Sequence, residues 1–229
     1  MKTIKYQIFL LITMSYSQIF SQASFLKKFS FEETGNYERA NAIIQTKDKG
    51  YLIAGRTVKF DEKAGGVEAY LIKTNDIGDT LWTKVYGGTG SEEFYDVIET
   101  NDGGFTLCGY TNSNTSGPLD VYIVHTDKNG KELWSKNFGG TSIDIGYSIK
   151  QTTDGGYIVS GESYSFGNGG VNAYLIKIDE NGNEDWFKVF GGFGIEQGNE
   201  VLEIPNGGGY LITGSTISFS AVDHDIYLI

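Results

Sequence analysis

The sequence predicts an all-β protein, a β-propeller of about four four-stranded blades, and three observations carry that reading. A glycine closes an apolar strand four times, in Tyr51-Leu-Ile-Ala-Gly55, Phe105-Thr-Leu-Cys-Gly109, Tyr157-Ile-Val-Ser-Gly161 and Tyr210-Leu-Ile-Thr-Gly214, at steps of 54, 52 and 53 residues. A near-constant period of that size marks a repeat architecture. Each repeat divides into four short apolar runs separated by turn residues, and none shows the 3.6-residue period of a helical solenoid. The second and third runs are apolar throughout, as strands packed on both faces by neighbouring blades would be.

The elements follow in chain order. Lys2 and Lys5 precede the apolar run Ile8–Met14, and Ser21-Gln22-Ala23 supplies small residues for cleavage, so residues 1–23 read as a secretory signal peptide. The run is too short to span a bilayer, and the mature chain is expected to carry no membrane span. Residues 24–229 form the propeller, with repeats at approximately 36–88, 89–140, 141–192 and 193–229 plus 24–31. Within each repeat a first strand such as Asp96–Thr100 enters a tight turn (Asp102-Gly-Gly104, Asp154-Gly-Gly156, Asn206-Gly-Gly-Gly209) whose glycines can supply positive φ. The glycine-closed strand is second. The third carries a tyrosine in Ala69–Ile72, Val121–Val124, Ala173–Ile176 and Ile226–Ile229. After turns at Asn75–Gly78, Asp127–Gly130 and Asp179–Gly182, the fourth strand brings Trp82, Trp134 or Trp186 and ends in Gly87-Gly88, Gly139-Gly140 or Gly191-Gly192.

The last repeat stops at Ile229 without a tryptophan strand, while Phe25–Phe29 places Lys28 where Lys84, Lys136 and Lys188 stand. An N-terminal fourth strand could therefore complete the last blade and close the ring as a monomer, removing exposed edges. A fragment of a larger propeller would use the same strand, and the two readings stay open.

The formal net charge is -11, and loss of Lys2 and Lys5 leaves 16 basic against 29 acidic residues, or -13. Nucleic acid is not an expected partner, because phosphate binding needs a basic face. The single cysteine, Cys108, has small counterparts in Ala54, Ser160 and Thr213, which points to a packed core thiol rather than a disulfide or a reactive group.

The run Asp120-Val-Tyr-Ile-Val-His-Thr-Asp-Lys-Asn-Gly-Lys-Glu-Leu-Trp-Ser-Lys-Asn-Phe-Gly-Gly140 resembles the bacterial secreted β-propeller repeat called SBBP, common among Bacteroidetes surface proteins. The Asp-x-x-Gly-x-x-x-Trp portion is also similar to the tryptophan docking motif of quinoprotein-like and outer-membrane assembly propellers. The resemblance covers nearly the whole mature chain. It implies fold and export, to a secreted, periplasmic or cell-surface location, and no common activity.

Candidate site residues come from recurrence and from its exceptions. Glu38, Glu92, Asp144 and Glu196 recur at steps of 54, 52 and 52, each at the turn into a first strand, the strand that lines a propeller axis. Four such oxygens could hold a hard cation such as Ca²⁺, or each acid could cap its own turn. Glu68, Asp120, Asn172 and Asp225 precede each tyrosine, and the asparagine argues for hydrogen bonding rather than charge. The tryptophans, with Tyr86, Phe138 and Phe190, read as core staples between blades. His125 takes the place of Lys73 and Lys177 and reads as a strand-end surface residue. The loops between second and third strands vary most, and there Phe60, Tyr164, Phe166, Phe219 and His224 offer aromatic and polar surface for a sugar ring or a protein. The expected function is that of an exported, non-catalytic module binding protein or glycan through this loop-rich face. A quinoprotein-like or polysaccharide-acting enzyme, and a structural fragment of a larger surface protein, are the alternatives.

Overall fold

The computed structural model describes residues 27–28, 37–58, 66–218 and 225–229, and each repeat in it forms one antiparallel sheet. The first contains β1 (Tyr37–Gln45), β2 (Tyr51–Val58), β3 (Val67–Thr74) and β4 (Thr80–Tyr86). The second contains β5 (Glu92–Glu99), β6 (Phe105–Thr111), β7 (Asp120–Thr126) and β8 (Glu132–Phe138). The third contains β9 (Asp144–Gln151), β10 (Tyr157–Ser163), β11 (Asn172–Ile178) and β12 (Glu184–Phe190). The fourth contains β13 (Glu196–Ile204), β14 (Gly209–Thr216) and β15 (Asp225–Leu228), and no further strand joins it among the described residues. The signal-peptide stretch 1–23 lies outside those residues. So does the expected completing strand at 24–31, apart from Lys27 and Lys28, and Lys27 Nζ sits 2.7 Å from Asp79 Oδ1 beside the first sheet. The described helical structure is one 3₁₀ turn, Pro205–Gly207, and no helix among these residues is long and apolar enough to cross a membrane.

The glycine that marks each repeat has a geometric cause. Every first strand carries a bulge, at Asn41, Tyr95, Tyr147 and Asn199, and the residue before each bulge pairs with Gly55, Gly109, Gly161 or Gly214. A Cβ at Gly55, Gly109 or Gly161 would lie 1.8 Å from a carbonyl oxygen of the bulged strand, so the pairing requires glycine. The bulge turns its side chain toward the next sheet. Asn41 donates to Glu93 Oε1 at 2.7 Å and to the Phe94 carbonyl at 2.8 Å, while Tyr95 meets Tyr147 edge-on at 5.3 Å.

Successive sheets stack. β5 packs on β1, β2 and β3, β9 on β5, β6 and β7, and β13 on β9, β10 and β11. The core accordingly falls into three clusters, one at each boundary, centred on Phe94 and Leu107, on Ile123, Ile149 and Tyr174, and on Ile158, Val201 and Ile212. Short parallel bridges, Leu119 to Ile143 and Val171 to Ile195, tie one sheet's long loop to the linker entering the next. The two ends of the stack differ from its interior. Val97, Ile149 and Val201 are fully buried, yet their first-sheet equivalent Ile43 is 63% exposed; in β15, Ile226 is 91% exposed.

Candidate functional site

The recurrent acids organise turns. Glu92 Oε1 accepts from the Thr111 and Ser113 hydroxyls, each at 2.6 Å, and Oε2 from the Gly88 N–H at 3.3 Å. Asp144 Oδ2 accepts from the Gly140 N–H at 2.9 Å and the Ser165 hydroxyl at 2.5 Å. Glu196 accepts from the Thr216 hydroxyl at 2.9 Å and the Gly192 N–H at 2.8 Å. Each acid thus fastens the Gly-Gly pair before it to the loop after its own second strand, the turn-capping alternative of the sequence. Those three are fully buried, whereas Glu38 is half-buried. Among the described residues no three His, Cys, Asp or Glu side chains converge into a metal-binding group.

The predicted loop face is described only in part. Phe60, Phe219 and His224 lie outside the described residues. Tyr164 is exposed, but Phe166 packs its ring 4.8 Å from Phe187 and 5.7 Å from Tyr174, which makes it a packing residue.

A concavity of about 130 Å³ beside Gly87, Gly88, Ser113 and Asn114 lies on the loop face, and wider grooves lie on the opposite edge, where the tight turns emerge. At each of the three sheet boundaries a fourth-strand tryptophan meets an aromatic at the start of the next sheet's second strand. Trp82 and Phe105 are 6.2 Å apart, Trp134 and Tyr157 6.0 Å, and Trp186 and Tyr210 5.8 Å. At the first two boundaries the next sheet's Asp-x-x-Gly turn docks on the indole, where a Cβ would lie 2.8 Å from the Trp82 ring at Gly130 and 2.9 Å from that of Trp134 at Gly182. The uncovered part of each indole opens into a groove. The groove volumes are about 440, 420 and 440 Å³, within the usual range of small-molecule sites. Lys47, Asp48, Glu99, Lys128 and Asn129 rim the first; Asp102, Gln151, Glu180 and Asn181 the second; Lys188 and Tyr210 the third.

A repeated ion pair stands at the turn edge of the sheets, and in the first it lines the groove. Lys73 Nζ reaches Asp48 Oδ2 at 2.9 Å, and Lys177 Nζ reaches Asp154 Oδ2 at 3.0 Å. The hydroxyl of Thr46 and then Lys73 hold the Asp48 carboxyl at about 2, and Thr152 and Lys177 do the same for Asp154, also at about 2. In the second sheet His125 replaces the lysine. Its Nε2 lies 3.2 Å from Asp102 Oδ2, its Nδ1 lies 2.9 Å from Thr106 Oγ1, and its ring stacks on Trp134 at 5.3 Å. Burial opposes ionisation of Asp102, but Thr100, the Gly104 N–H and His125 together hold its carboxyl below the usual range. The surface position expected for His125 is therefore corrected. It is 5% exposed, as buried as Lys73 and Lys177, because the next sheet closes over the strand end and leaves only the polar tip to meet the turn aspartate. The sequence held a signal for this: Asp48, Asp102 and Asp154 recur with the same period as Lys73, His125 and Lys177.

No protein-family model matches the chain. A curated relative, the regulatory protein FlaEY of Caulobacter vibrioides, is 24% identical over 197 residues, an alignment covering 76% of this chain and 21% of that protein. The chain thus spans about a fifth of the length of the curated relative it matches. Among solved structures it is similar to a Bacteroides caccae protein of unknown function, with a TM-score of 0.47 and 15% identity over 78% of this chain and 54% of that one.

Proposed function

We propose that this chain is an exported, β-propeller-type binding module that takes carbohydrate in the tryptophan-floored grooves between its sheets. The observation that carries the reading is the threefold recurrence of one concavity with an aromatic floor, rimmed in the first two grooves by carboxylate and amide side chains. A sugar ring has an apolar C–H face and an equatorial belt of hydroxyls. An indole accommodates the first, and Asp, Glu, Asn and Gln side chains hydrogen-bond the second. The chain's negative charge favours neutral sugars over sulfated or uronic ones. Grooves repeated on one rigid stack suit a polymer, and joining two sites raises avidity by about a hundredfold or more without new contacts.

The test is calorimetric titration of the purified chain with neutral mono- and oligosaccharides, following tryptophan fluorescence in parallel. Saturable binding by an oligosaccharide, much weakened by Gln151→Ala with Asn181→Ala, is the expected result. Binding that ignores these substitutions, or capture of a protein through the loops around Tyr164, would defeat the proposal.

A further inference from the structure

The parallel bridge between Leu119 and Ile143 brings the next residue on each side, Asp120 and Asp144, together where the second and third sheets meet. Both are buried, at 3% and 0% exposed. One oxygen of each carboxylate is engaged. Asp120 Oδ2 accepts from the Ser116 N–H at 3.0 Å, and Asp144 Oδ2 from Gly140 and Ser165 as described. The other oxygen of each, Asp120 Oδ1 and Asp144 Oδ1, is buried without a hydrogen-bond partner. A Cβ built on Gly139 would lie 2.5 Å from Asp120 Oδ1 and 2.8 Å from Asp144 Oδ2, so both carboxylates border one small cradle that the glycine keeps open.

No lysine, arginine or histidine among the described residues forms an ion pair with either aspartate. Adjacent buried carboxylates without a counter-charge are unfavourable twice over, through lost hydration and through mutual repulsion. The next boundary supplies an internal control. There the bridge from Val171 to Ile195 sets Asn172 beside Glu196, and a Cβ on Gly191 would meet Glu196 Oε2 at 2.2 Å and Asn172 Oδ1 at 2.6 Å. That cradle holds a single charge. Both Glu196 oxygens have donors, the Asn172 amide donates to the Phe166 carbonyl at 3.0 Å, and no buried oxygen of the pair is left over.

We propose that Asp120 and Asp144 form a binding site for one hard divalent cation, of the size and ligand preference of Ca²⁺, in the cradle beside Gly139. Two carboxylate oxygens supply the charge, and backbone carbonyls, hydroxyls and water would complete the shell that such an ion requires. The site differs from a ring of the four turn acids, since Glu38, Glu92 and Glu196 take no part. A bound ion would fasten the loop before β7 to the linker before β9, tying the second sheet to the third.

The test uses the whole chain, stripped with chelator and then titrated with CaCl₂ by calorimetry and by thermal unfolding. One ion per chain is expected, with a rise in Tm of about 5 °C or more at a hundredfold excess over the dissociation constant. Asp120→Asn, which copies Asn172, should remain folded and lose both the binding heat and the shift. Asn172→Asp should add a second site and bring the stoichiometry to two. A stripped chain that gives neither heat nor shift with Ca²⁺ or Mg²⁺ would overturn the proposal, as would a calcium response that survives Asp120→Asn.

Discussion

Replacing Gly109 by alanine tests whether the bulge dictates the repeat. The backbone there lies outside the left-handed region, so alanine meets no conformational strain of its own. The new methyl would, however, stand 1.8 Å from the Glu93 carbonyl oxygen, 2.8 Å from its carbon and 2.9 Å from Phe94 Cα. All three are backbone atoms, and Phe94 is fully buried against Tyr86 and Tyr122, so the strand cannot swing aside without disturbing the core. Overpacking of this kind costs about 1–3 kcal/mol, and an immobile obstacle puts it near the upper end. Stiffening of the unfolded chain returns about 0.4–1 kcal/mol, which leaves a net loss of about 2 kcal/mol. For a chain of this length that corresponds to a fall in Tm of about 4–8 °C. Urea unfolding followed by circular dichroism and tryptophan fluorescence measures it. Gly103→Ala is the comparison, because Gly103 has φ +83° but nothing within 4 Å of its Cβ position, so it carries strain without collision. If Gly109→Ala unfolds within about 0.5 kcal/mol of the parent, a range typical of neutral surface changes, the bulge does not require glycine and the explanation of the repeat fails.

Two further outcomes follow from the titrating groups. Asp48 and Asp154 have folded carboxyl values of about 2 against an unfolded 3.8, so the stability they contribute is complete above about pH 4 and is lost as the pH falls toward 2. A denaturation midpoint measured across that window should drop in the parent and drop less in Asp154→Asn; an identical acid profile would show that the turn aspartates do not stabilise the fold. Cys108 is fully buried, and burial pushes its thiol well up, so a thiol reagent at pH 8 should modify it only after unfolding; rapid reaction in the native protein would contradict its packing.

The sheets were legible in the sequence because their constraints are local. A glycine opposite a bulge, a glycine under an indole and an aspartate heading a tight turn each leave one residue type at one spacing, and the period repeats them. Cys108 was legible for the same reason, since its counterparts are all small. The concave surface was not, because no single stretch forms it. The second groove takes Trp134 from β8, Tyr157 from β10 and Asn181 from the turn before β12, so it exists only once two sheets dock. His125 misled for a related cause. A strand end is exposed in an isolated sheet and buried in a stacked one, and the sequence does not display the stacking. Recurrence of the tryptophans points to packing alone, although a ring docked under a glycine turn on one side still offers its remaining surface to a groove on the other.

That double use bears on how the grooves could differ in what they bind. At the first two boundaries the indole and the glycine that rests on it are fixed by packing, so they hold the floor constant from one to the other. The rim is under no such restraint. Lysines 47 and 128 give the first groove basic groups beside Asp48 and Glu99, whereas Gln151 and Asn181 give the second a pair of amides beside Asp102 and Glu180. A shared floor with unlike rims recognises one feature in common, an apolar ring face, and discriminates by the groups around it. On the proposed function, then, the fitting ligand is a polymer of stacked-ring units whose substituents vary along its length. A homopolymer whose hydroxyl pattern matched the second groove would leave the Lys47 and Lys128 ammonium groups of the first less well matched, at the usual cost of desolvating polar groups that are imperfectly paired.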